Sequence, residues 1–263
     1  MGNDTRPIGF FDSGIGGLSV MLCAMERLPK ENFIYYGDNA NAPYGDRTEH
    51  DIQELTMKAG DFLAGKGVKT MVIACNTATS AAVKLLREVY NMPVVSIEPA
   101  IKPAYENCSA NGRILVMATK ATLSQRRYHE LVSRIGCADK LLDMPCCGLV
   151  ELIERGDFES PEIDEYLAEK FAAVHEEISG IVIGCTHYSF VTERIRLSAK
   201  GMLRGDCAIY DGMYGTVRQL GRVLYQKGLE NQQGNGTAEV YTSGDESCRE
   251  MIETIIGKSK GTF

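Results

Sequence analysis

Short apolar runs alternate along the chain with segments of helical periodicity. Runs of strand length lie at residues 7–11, 32–36, 68–74, 93–97, 113–118, 140–144, 181–184, 207–211 and 238–242. Between them apolar residues recur every three or four positions, as on the buried face of a helix, for example over 52–63, 78–89 and 161–178. Thr48, with Asp51 three residues later, is a candidate cap for one of these helices. This alternation predicts an α/β fold with parallel sheets.

The strand–helix alternation runs through the first hundred residues and then starts again. We therefore predict two similar doubly wound parallel-sheet domains that face each other across a cleft. The first is residues 1–97 completed by 210–263, and the second is residues 98–209.

Two of the predicted strands end at a cysteine that small polar residues follow. The segments VIACNT, around Cys75, and VIGCTH, around Cys185, are the same pattern in two places. Open α/β folds bind their ligands at the carboxyl edge of the sheet, which is where these thiols are expected. The other cysteines, including the adjacent Cys146 and Cys147, are interpreted as small buried hydrophobes.

A matched pair of thiols suits the inversion of a carbon centre by proton transfer. A thiol acts as a general base when ionised and as a general acid when protonated. Inversion requires a base on one face of the carbon and an acid on the other. A cysteine hydrolase instead needs one thiol, an orienting histidine and an oxyanion hole. The duplication of the thiol therefore favours inversion.

Further polar candidates stand beside the predicted strand ends. Asp12 precedes a glycine-rich turn and suits an ammonium group, and His187 lies two residues beyond Cys185. Asp38, Tyr44 and Gly45 belong to a long loop after the second strand, a usual place for binding residues. Small hydrogen-bonding residues suited to a carboxylate, or alternatively to helix capping, are Ser13, Asn76, Thr77, Thr122 and Thr186.

Composition and charge argue against a nucleic-acid-binding protein and against a membrane protein. The chain has 263 residues, 44% hydrophobic and 24% charged, with a formal net charge of −7. The negative balance argues against a nucleic-acid-binding surface. No apolar run approaches the roughly 18 residues of a membrane span, and the N-terminus lacks the pattern of a signal peptide. We therefore expect a cytoplasmic protein without nucleic-acid or membrane partners.

Six motifs in order resemble the glutamate racemase family, within the cofactor-independent aspartate/glutamate racemase superfamily. They are DSGIGGLSV, YYGDNANAPYG, ACNTATSAA, ATKATLSQRRY, LVELIERG and GCTHY. The resemblance implies a homodimeric isomerase that needs no cofactor or metal. It would interconvert L- and D-glutamate and supply D-glutamate for peptidoglycan precursors, and so serve cell wall biogenesis and cell shape.

The resemblance also implies roles for individual residues. Cys75 would take the α-proton from the D-enantiomer and Cys185 from the L-enantiomer, while Asp12, Glu151 and His187 assist. The residues implied to contact substrate are Asp12, Ser13, Tyr44, Gly45, Asn76, Thr77, Thr119, Thr122, Thr186 and His187.

Three alternatives stay open at this point. A racemase of the same superfamily acting on aspartate or another amino acid would use the same chemistry with a different side-chain pocket. A thiol hydrolase or lyase would form a covalent adduct on one cysteine. A ligand-binding module would also have two facing lobes, although the paired cysteines would then have no purpose.

Overall fold

The computed structural model describes residues 3–259, in which strands and helices alternate as the sequence predicts. The strands are β1 (Ile8–Asp12), β2 (Phe33–Gly37), β3 (Thr70–Ile73), β4 (Val94–Ser96), β5 (Arg113–Ala118), β6 (Leu141–Pro145), β7 (Ile178–Ile183), β8 (Ala208–Asp211) and β9 (Ala238–Thr242). The helices are α1 (Leu18–Arg27), α2 (Glu49–Gly65), α3 (Asn76–Val89), α4 (Ile101–Glu106), α5 (Lys120–Ser124), α6 (Arg126–Ile135), α7 (Leu149–Glu154), α8 (Pro161–Ala172), α9 (Thr192–Met202), α10 (Gly212–Lys227) and α11 (Glu246–Ser259).

The chain divides into two units, each built on its own parallel sheet. The first unit comprises the residues up to Ile97 together with those from Met213 onward, and the second is Glu98–Gly212. The sheet of the first unit has the strand order β4-β3-β1-β2-β9, and that of the second has the order β6-β5-β7-β8. Every neighbouring pair is parallel.

The two sheets share one topology. In each, the second strand of the unit lies on one side of the first strand, and the third and fourth lie on the other side. The chain direction across the sheet therefore reverses beside the first strand, between β1 and β3 in one unit and between β5 and β7 in the other. Crevices at the carboxyl ends of such strands are the ligand sites of doubly wound folds.

The central strands are almost entirely buried, with at most one half-buried residue in each. All residues of β1 and β3 are buried, which matches their nearly continuous apolar sequences. The edge strand β9 is half-exposed. At the start of α2 the predicted cap is confirmed, since Thr48 Oγ1 accepts from Asp51 N at 3.2 Å and donates to Asp51 Oδ2 at 2.6 Å.

Two elements differ from the sequence-based prediction. The helix predicted over 161–178 ends at Ala172, and β7 begins at Ile178. Helix α4 was not predicted, because Pro103 interrupts its short sequence; the proline lies in the first turn, where its missing N–H has no helical partner to lose. Among the helices of residues 3–259, none is both long and apolar enough to cross a membrane.

Candidate active site

The two predicted cysteines occupy equivalent positions in the two units. Cys75 lies two residues beyond the end of β3, and Cys185 lies two residues beyond the end of β7. Each is the residue immediately before a helical segment, α3 after Cys75 and the 3₁₀ turn Thr186–Val191 after Cys185. Both are buried. Each unit therefore presents one thiol at the point where its strand order reverses.

Matching backbone hydrogen bonds fix the strand ends that carry these cysteines. Ala74 N donates to Phe11 O at 2.8 Å in the first unit, and Gly184 N donates to Met117 O at 2.8 Å in the second. As a result Cys75 leaves the sheet beside the end of β1, which carries Asp12. Cys185 leaves it beside the end of β5, and Thr119 follows that strand.

Ser13 and the start of α3 supply polar neighbours for the Cys75 sulfur. Ser13 Oγ lies 3.5 Å from Cys75 Sγ, and Ala78 N donates to the same sulfur at 3.4 Å. Asp12 is fully buried, and its Oδ1 accepts from Gly14 N at 3.0 Å. A backbone donor at a helix N-terminus stabilises negative charge, so this environment suits a sulfur that ionises during a reaction.

Asn76 and Thr77 form the buried first turn of α3. Neither Oδ1 nor Nδ2 of Asn76 has a hydrogen-bond partner among the described residues, although its side chain is only 4% exposed. Burying an amide without hydrogen bonds is costly, so buried amides generally pair with a polar group. Asn76 is therefore a strong candidate for contact with a polar ligand beside Cys75.

Tyr44 and Gly45 lie in a 3₁₀ turn of the loop that follows β2. The Tyr44 ring is buried in the same apolar cluster as Phe11 and Cys75, and Gly45 is half-buried. Tyr44 OH donates to Asp38 Oδ2 at 2.6 Å. Burial, reinforced by this hydrogen bond, raises the pKa of the Tyr44 phenol far above its ordinary value, so the phenol keeps its proton.

Gly17 allows the close approach of α1 to the end of β1. A Cβ at this position would lie 2.6 Å from Asp12 Cβ and 2.9 Å from Ala74 Cβ, and neither atom can rotate away. We expect Gly17→Ala to destabilise the fold by about 1–3 kcal/mol, the usual cost of overpacking, and to displace Asp12. Urea unfolding measures this cost. Gly201→Ala in α9 is the matched control, since no heavy atom lies within 4 Å of its added Cβ. Equal midpoints for the two variants would contradict the expectation.

In the second unit a chain of three side chains starts at Cys185. Cys185 Sγ lies 3.7 Å from His187 Nδ1, and His187 Nε2 lies 2.5 Å from Glu154 Oε1. Burial opposes the charged form of His187, but its hydrogen bonds to Cys185 and Glu154 prevail and raise its pKa well above the ordinary value. The imidazolium therefore donates from one nitrogen to the sulfur and from the other to the carboxylate.

Glu154 is a residue that the motif comparison did not single out. Glu151, to which the resemblance assigns an assisting role, lies one turn earlier in α7 and is exposed. The sequence contains two consecutive triplets of the same type, LVE at 149–151 and LIE at 152–154. Only the second places a carboxylate on His187. The repeated triplet was the available signal, and the role of Glu151 stays a prediction.

The three predicted threonines of the second unit are all buried. Thr119 caps α5, since its Oγ1 accepts from Thr122 N at 3.2 Å and donates to Thr122 Oγ1 at 3.0 Å. Thr186 follows Cys185 directly. Capping explains the conformation of Thr119, and its contact with substrate stays a prediction.

Cys146 is buried and contacts Tyr188, the residue that follows His187. Tyr188 OH donates to Cys146 O at 3.2 Å, and burial raises the pKa of the Cys146 thiol to about 12. The thiol is therefore protonated at neutral pH and packs as a hydrophobe, as predicted. The prediction of a buried hydrophobe is wrong for the neighbouring Cys147, which is exposed.

Comparison with known proteins places this arrangement in a family. Residues 20–220 match the model of the Asp/Glu/Hydantoin racemase family. A glutamate racemase of Clostridium perfringens is 45% identical over 254 residues, which cover 95% of this chain and 96% of the relative. One of Clostridium kluyveri is 46% identical over 247 residues, which cover 92% of this chain and 94% of the relative.

Solved structures agree with the sequence relatives. The Francisella tularensis glutamate racemase in complex with D-glutamate superimposes with a TM-score of 0.82 at 29% identity, and the match covers 97% of this chain and 94% of that one. The Escherichia coli enzyme in complex with L-glutamate and the activator UDP-MurNAc-ala gives a TM-score of 0.80 at 26% identity, over 97% and 95% of the two chains. Together with the sequence matches, these likenesses confirm the resemblance seen in the motifs, and the chain belongs to the Asp/Glu/Hydantoin racemase family.

Proposed function

We propose that this protein interconverts L-glutamate and D-glutamate. The proposal rests on the similarity to curated glutamate racemases over nearly the whole chain. Related solved structures carry D-glutamate in one case and L-glutamate in another. The six sequence motifs also match this branch of the superfamily.

The proposed mechanism is proton transfer by two bases, Cys75 and Cys185. One thiolate removes the α-proton from one face of the substrate, and the other thiol delivers a proton to the opposite face. Cys75 acts on D-glutamate and Cys185 on L-glutamate, and after each turnover the two sulfurs have exchanged protonation states. The observation that carries this proposal is the equivalent placement of the two cysteines, each two residues beyond the third strand of its unit.

Neighbouring residues would stabilise the charges that develop on the two sulfurs. Ser13 and the amide of Ala78 lie within hydrogen-bond distance of Cys75, and His187 lies beside Cys185. Asp12 would hold the substrate ammonium. The substrate carboxylates would be bound by Ser13, Tyr44, Gly45, Asn76, Thr77, Thr119, Thr122, Thr186 and His187. Aimed donors in a dry site lower the cost of forming a carbanion.

The wider role is also a proposal that the resemblance supports. D-glutamate would supply peptidoglycan precursors in the cytoplasm, and the protein would act as a homodimer. Light scattering after size-exclusion chromatography tests the assembly, with a mass near twice the 28.9 kDa of one chain as the expected result. A mass of one chain at all concentrations would contradict it.

The decisive experiment is proton NMR of each glutamate enantiomer in D₂O with the purified protein and no added cofactor. We expect the α-proton signal to disappear and the optical rotation to fall to zero from either enantiomer. Parallel samples with D- and L-aspartate test specificity. Exchange of aspartate but not glutamate would keep the chemistry and overturn the substrate. No exchange with any amino acid would overturn the proposed function.

A further inference from the structure

The carboxylate of Asp38 is the centre of a hydrogen-bond cluster beside the Cys75 site. Asp38 follows β2, and its side chain is only 4% exposed. Its oxygens accept from Tyr44 OH at 2.6 Å, from Asn41 Nδ2 at 3.0 Å and from Ser243 Oγ at 2.6 Å. All three partners are donors. Hydrogen bonds to an ionised group are roughly twice as strong as neutral ones, so the carboxylate holds these side chains in one arrangement.

Ser243 brings a distant part of the chain into this cluster. It follows β9, an edge strand that pairs with β2 about two hundred residues away in sequence. Besides donating to Asp38, Ser243 Oγ accepts from Ala40 N at 3.1 Å, and Ser243 N donates to Gly37 O at 3.0 Å. The loop that begins at Asp38 is therefore fastened to the segment after β9 by both backbone and side-chain bonds.

The same carboxylate fixes the orientation of Tyr44. Because Tyr44 OH donates a hydrogen bond to Asp38, the ring is held at both ends, by this hydrogen bond and by packing against Phe11, whose ring centroid is 6.2 Å away. The backbone of Gly45 follows directly in the same turn. Displacement of Asp38 would release both residues from the neighbourhood of Cys75.

We propose that Asp38 and Ser243 form a clamp that positions Tyr44 and Gly45 for substrate binding. The role of the pair in catalysis rests on the proposed function, whereas the clamp itself is a property of the first unit. Neither residue transfers a proton in this proposal, and both act through the loop that they hold. The segment after β9 thus becomes a support of the active site, although it lies far from every racemase motif in the sequence.

Substitutions at Ser243 test the clamp with little risk to the fold, because this side chain is exposed. Ser243→Ala removes both hydrogen bonds of this hydroxyl, to Asp38 and from Ala40 N, and we expect it to raise KM for glutamate about two- to tenfold. Ser243→Asp places a like charge against Asp38 and is expected to raise KM at least about tenfold. In both variants we expect kcat to change less than KM. The substitutions weaken contacts that bind the substrate and leave the proton-transfer groups in place. Ser243→Thr keeps the hydroxyl and should restore most of the affinity.

Ser247 offers a closely matched control. It is also exposed, and its Oγ also donates to an aspartate, Asp245 Oδ1 at 2.6 Å, but that aspartate does not contact Tyr44 in the described part of the chain. Ser247→Ala and Ser247→Asp are expected to leave KM unchanged. An equal rise of KM in the Ser247 and Ser243 variants would overturn the proposal.

Hydrogen exchange followed by mass spectrometry separates failure of the clamp from failure of the proposed function. We expect amides of residues 38–47 to exchange faster in Ser243→Asp than in the wild type or in Ser247→Asp, since local exchange reports local opening. This measurement needs no substrate. Faster exchange with unchanged KM would overturn the positioning role, and unchanged exchange would overturn the clamp. If the wild type does not racemise glutamate, the proposed function fails while exchange still decides the clamp.

Discussion

Replacing either Cys75 or Cys185 with serine is expected to lower the rate of glutamate racemisation by about 10²- to 10⁴-fold, the range typical of losing one general acid–base group. A serine hydroxyl gives up its proton far less readily than a thiol. Each turnover needs one sulfur to remove a proton and the other to deliver one, so either substitution should slow both directions. The measurement is the steady-state rate from each enantiomer, followed by optical rotation.

Isotope exchange distinguishes the roles of the two sulfurs. In Cys75→Ser, L-glutamate still meets its own base, Cys185. It is therefore expected to exchange its α-proton with D₂O without inverting, whereas D-glutamate keeps its proton. Cys185→Ser should show the reverse pattern. The same enantiomer exchanging in both variants would contradict the assignment of one sulfur to each face.

Cys147→Ser is the control for these substitutions. Cys147 follows β6 at the carboxyl edge of the same sheet as Cys185, but its side chain is exposed. We expect the Cys147→Ser variant to racemise glutamate at the rate of the wild type. Full activity in Cys75→Ser or Cys185→Ser, with the fold intact by urea unfolding, would exclude the two-base mechanism.

The position of Cys75 and Cys185 at the ends of strands can be predicted from the sequence because it depends on the local pattern of apolar and polar residues. A buried parallel strand appears as an uninterrupted apolar run, and the polar residues after it mark the sheet edge. The same local pattern gives a wrong helix end where apolar residues continue at helical spacing from a helix into the next strand. Phe171, Val174 and Ile178 continue the helical spacing of α8, yet the chain leaves the helix after Ala172 so that Ile178 can begin β7.

Side-chain partners are harder to predict because they depend on packing between elements. The triplets that end at Glu151 and Glu154 are equivalent in sequence, and only the docking of α7 beside the turn after Cys185 distinguishes them. The bond between Asp38 and Ser243 likewise requires the pairing of β2 with β9. Neither partnership leaves a local signal that decides it.

Replacing Glu154 with glutamine is expected to reduce turnover by roughly 10- to 100-fold, since a hydrogen bond to a charged group contributes about 1.5–3 kcal/mol. Glutamine keeps the shape but loses the negative charge that holds His187 as an imidazolium. Glu151→Gln is the matched comparison, with the same change made one turn earlier on an exposed side chain. A larger loss in Glu151→Gln would favour the role implied by the family motif over the contact seen in the structure.

The pH dependence of this pair gives a second, independent test. In the folded protein the pKa of His187 lies well above its ordinary value, because the hydrogen bonds to Cys185 and Glu154 outweigh the effect of burial. Protonated His187 therefore stabilises the fold below about pH 6.5, the unfolded value. This stabilisation is lost as the pH rises through the higher folded pKa. In Glu154→Gln the folded pKa of His187 should fall. The wild type and the variant should therefore differ less in free energy of unfolding at alkaline pH, where the stabilisation by protonated His187 is lost.

Carbon-13 NMR of labelled histidine measures the His187 pKa directly. The chain has four histidines, His50, His129, His175 and His187, and the signal missing from His187→Gln identifies the one of interest. We expect this signal to titrate above the ordinary histidine value of about 6.5 in the wild type, and to move to lower pH in Glu154→Gln. If the two proteins give the same titration, Glu154 does not hold the imidazolium. A loss of activity in Glu154→Gln would then require a cause other than the charge on His187.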